Sequence, residues 1–206
     1  MKRKGPKAEL HVLRRFVAEA EKKFLAPHLT AATLGTPSRD EELDVAAFVV
    51  LAHGAIENFV EGIGYWTLES LERSWINKKR ASRSLVSLLL YSTSPGDDSA
   101  DELSVFDNIR TRLIEAKSTN SKSIEKNNGI APRNLRTIFR PLGIDVPDDP
   151  KLTGSLELLV SMRHQWAHQF RFGAKVVKFA ADLKKTSDDC LMLAEKLANG
   201  ARSARP

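Results

Sequence analysis

The sequence holds a single cysteine, Cys190, which excludes an internal disulfide and any multi-cysteine metal site. Its apolar runs reach only about ten residues and are interrupted, against the roughly 20 that a membrane span requires. The start, Met-Lys-Arg-Lys-Gly-Pro-Lys, is basic, but no apolar signal core follows it. No segment alternates apolar and polar residues as a half-buried strand does, and no repeat period emerges. These absences lead to the expectation of a cytoplasmic protein with no membrane partner.

The composition present is that of an ordinary globular chain. Hydrophobic residues make up 42% and charged residues 28% of the 206, enough to build one sizeable core. The net charge of +6 agrees with an anionic partner such as nucleic acid, although many proteins of this charge bind none.

Along the chain the apolar spacing is helical. Leu10, Leu13, Val17, Ala20 and Phe24 recur every three or four residues from Ala8 onward, and Pro27 ends that helix or follows its end. Thr30–Pro37 reads as a loop. Ser38-Arg39-Asp40-Glu41 is a capping-box pattern, so a long helix is predicted from there to about Trp75, with Leu43, Ala47, Val50, Leu51, Ile56, Phe59 and Ile63 among its apolar positions. Gly54, Gly62 and Gly64 mark close packing or bends in it. Glu57 sits among these apolar residues, either at the solvent edge or paired inside.

A basic connector, Lys78–Arg83, leads to an apolar segment, Leu85–Tyr91, short enough to be helix or strand, with helix preferred. Ser92–Ser99 reads as a loop, and Leu103, Phe106, Ile109, Leu113 and Ile114 as a helix. The polar stretch Ser118–Asn128 reads as an exposed loop. Pro132 opens a short helix, with Leu135, Ile138 and Phe139 on one face and Arg133, Arg136 and Arg140 on the other; Pro141 stops it. After a turn-rich link, Gly143–Pro150, a helix begins near Leu152. Gly173 separates it from a last helix with Val176, Val177, Phe179, Leu183, Cys190 and Leu197, which Asn199-Gly200 terminates. The expected architecture is all-α: one domain over 1–206, an antiparallel helical bundle with short helices and long loops inserted before the helix near Leu152. Residues 1–7 and 201–206 are expected to be mobile tails.

Chemistry concentrates at Arg163-His164-Gln165-Trp166-Ala167-His168. A histidine exchanges protons near neutral pH. An arginine keeps its charge and offers a planar fork that matches phosphate. Converging on a phosphodiester, the two suffice for metal-free RNA cleavage, the imidazole moving protons and the guanidinium stabilising the phosphorane. Arg163 and His168 lie five residues apart, about 140° around a regular helix. Either the helix ends between them or a second subunit completes the site. The plainer alternative is a helix-end arginine paired with a carboxylate, beside a structural histidine. His164 and His168, at i and i+4, also have metal-ligand spacing, but no His-Glu-x-x-His pattern or cysteine pair accompanies them, so no metal or other cofactor is expected. Trp166 reads most simply as a core or interface residue, and Cys190 as a buried hydrophobe.

In this context the hexapeptide resembles the Arg-x(4–6)-His motif of HEPN domains. Asn127-Asn128-Gly129-Ile130, with Leu135, Ile138-Phe139 and Leu142-Gly143-Ile144, resembles the segment before the motif in the RiboL-PSP-HEPN and MAE-type branches. Glu57-Asn58-Phe59-Val60 resembles the family's helix with an acidic residue. The resemblance runs from about Asp40 to Gly200. It implies an all-α bundle of HEPN type that pairs into a homodimer, and a metal-independent endoribonuclease acting on RNA as a toxin or phage-defence component, with an antitoxin or defence partner. It also implies that Arg163 holds the scissile phosphate and His168 is the general acid or base. His164 stands where the family often has Asn; it could bind the phosphate, assist proton transfer, or signal altered activity. The alternative implied is a non-catalytic HEPN-like dimer that binds nucleotide, RNA or a partner protein. Glu57 could orient Arg163 or His168. Arg133, Arg136 and Arg140 become an RNA strip only if they border the cleft; otherwise they are a solvated face.

Overall fold

The three-to-four-residue recurrence of Leu10, Leu13, Val17 and Ala20 buries all four on one side of helix α1, Pro6–Ala20. The computed structural model describes residues 5–29, 37–92, 105–169 and 180–204, and within them the chain is all-α, with no strand. The remaining helices are α2 (Arg39–Lys78), α3 (Arg83–Ser92), α4 (Val105–Glu125), α5 (Pro132–Phe139), α6 (Pro150–Gln169) and α7 (Ala180–Ser203). A π-helical turn, Glu21–Leu25, and a 3-10 turn, Ala26–His28, extend α1 through Pro27.

Helix α2 is the spine. Ser38 starts it as expected, its Oγ accepting from the Glu41 N–H at 3.1 Å. It ends where Lys79 turns left-handed, at φ 53°, and donates its N–H to the Trp75 carbonyl. Helices α1, α4, α5, α6 and α7 all pack on it. Cross-links give the directions. His28 meets Asp44 at 2.7 Å while Gly5 lies against the Trp66 ring, so α1 runs antiparallel to α2. Arg14 pairs with Glu195 and Glu21 with Lys184, and Lys151 with Asp189 and Asp149 with Lys196, so α7 runs antiparallel to both α1 and α6. By length and composition α2 is long and apolar enough to cross a membrane. Its apolar residues, Val45, Phe48, Val49, Ile56, Val60 and Ile63, are nevertheless buried in the shared core. Leu43, Val50 and Leu51, read from the sequence as part of that helix's apolar set, face outward instead, 37–44% exposed.

Four boundaries differ from the sequence reading. Pro6 and Lys7 belong to α1, not to a tail, because Gly5 backs onto Trp66 and its carbonyl accepts from the Ala8 and Glu9 N–H groups. The stretch from Ser118 to Glu125 is the second half of α4, not a loop. Ala116, Asn120 and Ile124, spaced by four, are all buried, and this sparse stripe holds an otherwise polar segment in the helix. Gly200 does not end the last helix. It lies inside α7, where a Cβ would come 2.9 Å from Ile144, and Ala201 beyond it is fully buried. Close approach to the 143–149 link therefore explains Gly200, and the helix runs on to Ser203. Helix α6 likewise starts two residues early, at Pro150, because Asp149 caps it, accepting from the Lys151 and Leu152 N–H groups. The loops at 30–37 and 92–99, Leu103, and the segment with Gly173, Val176, Val177 and Phe179 lie wholly or mainly outside the described residues, as do the ends 1–4 and 205–206.

Candidate functional site

Helix α2 carries two polar groups one turn apart, His53 and Glu57, beside the buried Ala52, Ile56 and Val60. Residues 126–131, between α4 and α5, lie across them. That segment is tied at several points. Ile130 is fully buried. Asn127 donates its amide to Glu61 at 3.1 Å, and Asn134 donates to Asn127 at 3.2 Å. Gly129 turns at φ 135°, a conformation that strains any side chain. Its backbone comes close to His53, a Cβ there falling 3.9 Å from Nε2, and its N–H donates to the Glu57 carboxylate.

Helix α6 closes the other side. The result is a cleft of about 460 Å³ between α2, α5, α6 and the 128–131 segment. His53 and Ile130 form its buried part; Glu57, Asn134 and Val160 are half-buried; Arg133, Arg163 and His164 are exposed around it. Neither Arg133 nor Arg163 has an ion-pair partner among the described residues. Two guanidinium groups and an imidazole at the opening, with a carboxylate within, suit a ligand carrying a phosphate and hydrogen-bond donors.

Burial, helped by the positive charge of Arg163, lowers the pKa of His53 from 6.5 to about 4, so the ring is neutral at pH 7. Its Nδ1 lies 3.8 Å from Glu57 Oε2, too far for a hydrogen bond, and a neutral ring makes no ion pair. Burial and the neighbouring Glu61 raise the pKa of Glu57; Arg163 and the Gly129 N–H pull it back.

The cleft unites four of the sequence-selected residues: Arg163, His164, Glu57 and Arg133. The other three do not line it. Arg136 pairs with Asp148 at 3.3 Å. Arg140 is exposed past the end of α5. His168 is exposed one turn beyond His164, with ring centres 4.4 Å apart and planes tilted by 53°. Helix α6 is unbroken through both Arg163 and His168, which removes the reading that the helix ends between them. Trp166 is half-buried, with the Arg39 guanidinium 5.7 Å from its ring. Among the described residues no group of three His, Cys, Asp or Glu side chains is placed to hold a metal ion. Cys190 is buried, and burial pushes its thiol up to about 12.

The sequence reading missed His53 and Asn134. His53 stands four residues before Glu57, the i, i+4 spacing that stacks two side chains on one helix face, and that was the available signal. Asn134 gave none, since its contact with Asn127 depends on how the chain turns at Gly129.

Compared with known proteins, the model of the RiboL-PSP-HEPN family matches residues 21–201. No curated protein and no solved structure matches the chain.

Proposed function

Since the chain belongs to the RiboL-PSP-HEPN family, we propose that it is a metal-independent endoribonuclease working as a homodimer, a toxin or phage-defence component with its own antitoxin or defence partner. The observation that carries this reading is the meeting of Arg163, His164 and Arg133 at one cleft, in a family that is commonly nucleolytic. Arg163 holds the scissile phosphate and stabilises the charge that builds on the phosphorane. His168 moves the proton, taking it from the attacking ribose hydroxyl or giving it to the leaving oxygen. His164, beside His168, either contacts the phosphate or shares the proton. Glu57 draws Arg163 toward α2 through charge.

A second copy of the chain supports the reading because Arg163 and His168 diverge by about 140° on one unbroken helix. In a symmetric pair each helix α6 presents Arg163 to one side and His168 to the other, so two composite sites form. The exposed Leu43, Val50 and Leu51 on α2, the helix on which α6 packs, offer an apolar face for that pairing.

The test is cleavage of end-labelled RNA by the purified protein in EDTA, beside Arg163→Ala and His168→Ala. The expected outcome is scission by the wild type, leaving a cyclic phosphate, and a loss of at least about 100-fold in each variant. Undiminished cleavage by both variants would overturn the assignment. His164 in place of the family's usual Asn favours one other reading, a nucleotide- or RNA-binding dimer without catalysis, which would retain salt-sensitive RNA binding but show no scission.

A further inference from the structure

The half-buried carboxylate of Glu57 cannot itself bind a phosphate, yet it lies in the same cleft as two guanidinium groups that have no ion-pair partner among the described residues. We propose that this cleft is a guanine-selective subsite, in which Glu57 accepts from N1–H and the exocyclic N2–H of a guanine while Arg133 and Arg163 hold the adjoining phosphate. The inference rests on the reading that the protein acts on RNA, and names the nucleotide beside the phosphate it engages.

The argument starts from donors and acceptors. An ionised carboxylate only accepts, and has about four lone-pair sites on two oxygens. The Gly129 N–H takes up one of them. His53, neutral and 3.8 Å away, does not neutralise it. The remaining sites need donors. Guanine alone among the four bases sets two N–H donors side by side on its Watson–Crick edge. Adenine and cytosine place a ring-nitrogen lone pair beside their single amino group, and that lone pair would face a carboxylate oxygen. Uracil offers one N–H between two acceptors, and both would be repelled. A site that holds a charged acceptor discriminates strongly, because the wrong base leaves it unpaired and away from water.

The surroundings fit the same base. Asn128 and Asn134 line the cleft with side-chain amides, and Asn134 uses only one amide N–H on Asn127, so N–H groups remain for the O6 acceptor of guanine. Val160, Ile130 and the flat His53 ring supply an apolar surface for the base. The cleft, at about 460 Å³, lies within the roughly 300–1,000 Å³ typical of small-ligand pockets. Three groups that favour anions, Arg133, Arg163 and His164, are exposed around the opening, where the phosphate of a seated nucleotide would lie.

The test is equilibrium binding of 3′-GMP, AMP, CMP and UMP, each as the free nucleotide, to the full chain at pH 7.5 by calorimetry, repeated on Glu57→Gln and Arg133→Ala. The expected result is GMP binding at least about 10-fold tighter than the other three. Glu57→Gln should collapse that ratio toward one, and Arg133→Ala should weaken all four alike, leaving it intact. Equal affinity for the four nucleotides in the wild type, no binding of any, or an unchanged ratio in a folded Glu57→Gln protein would overturn the proposal. RNA scission without preference for sites beside guanine, together with equal nucleotide affinities, would remove the guanine subsite and leave the nuclease. Selective GMP binding without scission would do the reverse.

Discussion

At the scale of single residues, His53 is the group whose state the fold decides most firmly. In the unfolded chain its imidazole takes a proton near 6.5; buried beside Arg163 it does so only near 4. Between those values the unfolded state binds more protons than the folded one, so stability falls as pH drops from 6.5 toward 4 and loses nothing further below. A fall from 6.5 to about 4 is worth roughly 3 kcal/mol. Glu57 opposes it weakly near the acid end, because its raised pKa lets the folded state take that proton first. Urea unfolding at pH 7 and at pH 4.5 measures the loss. His53→Gln, with no proton to gain, should lose at least about 2 kcal/mol less than the wild type over that interval. An equal loss in both proteins would mean that His53 is hydrated. At this scale the sequence was partly legible: Arg163 and His164 stood out because unusual chemistry was crowded into six residues. His53 did not, because a lone histidine in an apolar helix looks the same whether it packs silently or lines a cleft.

At the scale of elements, periodicity foretold most helices and failed where the apolar signal was thin. Helix α4 after Ser118 offers only Asn120 and Ile124 to the interior, and its Ser, Asn and Lys residues mimic a loop. What holds it is the packing of α2, in particular Gly64, where a Cβ would stand 3.0 Å from Ile138 and 3.1 Å from Ile124. Three helices meet at that bare backbone. Gly62, two residues earlier on α2, has nothing within 4 Å of its missing Cβ. The two glycines should therefore respond oppositely. Gly64→Val overpacks the junction and should cost about 1–3 kcal/mol, while Gly62→Ala should stabilise by up to about 1 kcal/mol through helix propensity alone. Thermal unfolding of both variants followed by circular dichroism checks the pair. A Gly64→Val protein as stable as the wild type would show that α4 and α5 can step back from α2. The glycines were visible in the sequence; which of them touched another helix was not, since that depends on contacts 60 and more residues away along the chain.

At the scale of the whole molecule, the divergence of Arg163 and His168 becomes a question of symmetry. The sequence already posed it as two alternatives, a helix that stops between them or a second subunit; the unbroken α6 removes the first, and the second is the one proposed above. If each proposed site takes Arg163 from one subunit and His168 from the other, then Arg163→Ala and His168→Ala homodimers are both dead, but a mixed dimer has one working site of two. Co-refolding the two inactive variants in equal amounts should restore roughly a quarter of wild-type RNA cleavage, half of the dimers being mixed and half of their sites complete. Adding Val50→Glu to both chains should abolish that recovery, because it sets two buried like charges across the proposed apolar face of α2. No recovery, from variants that still dimerise, would place Arg163 and His168 in the same subunit's site and would require α6 to bend after Arg163 when RNA binds. Recovery that survives Val50→Glu would keep the composite site and move the subunit contact to another face.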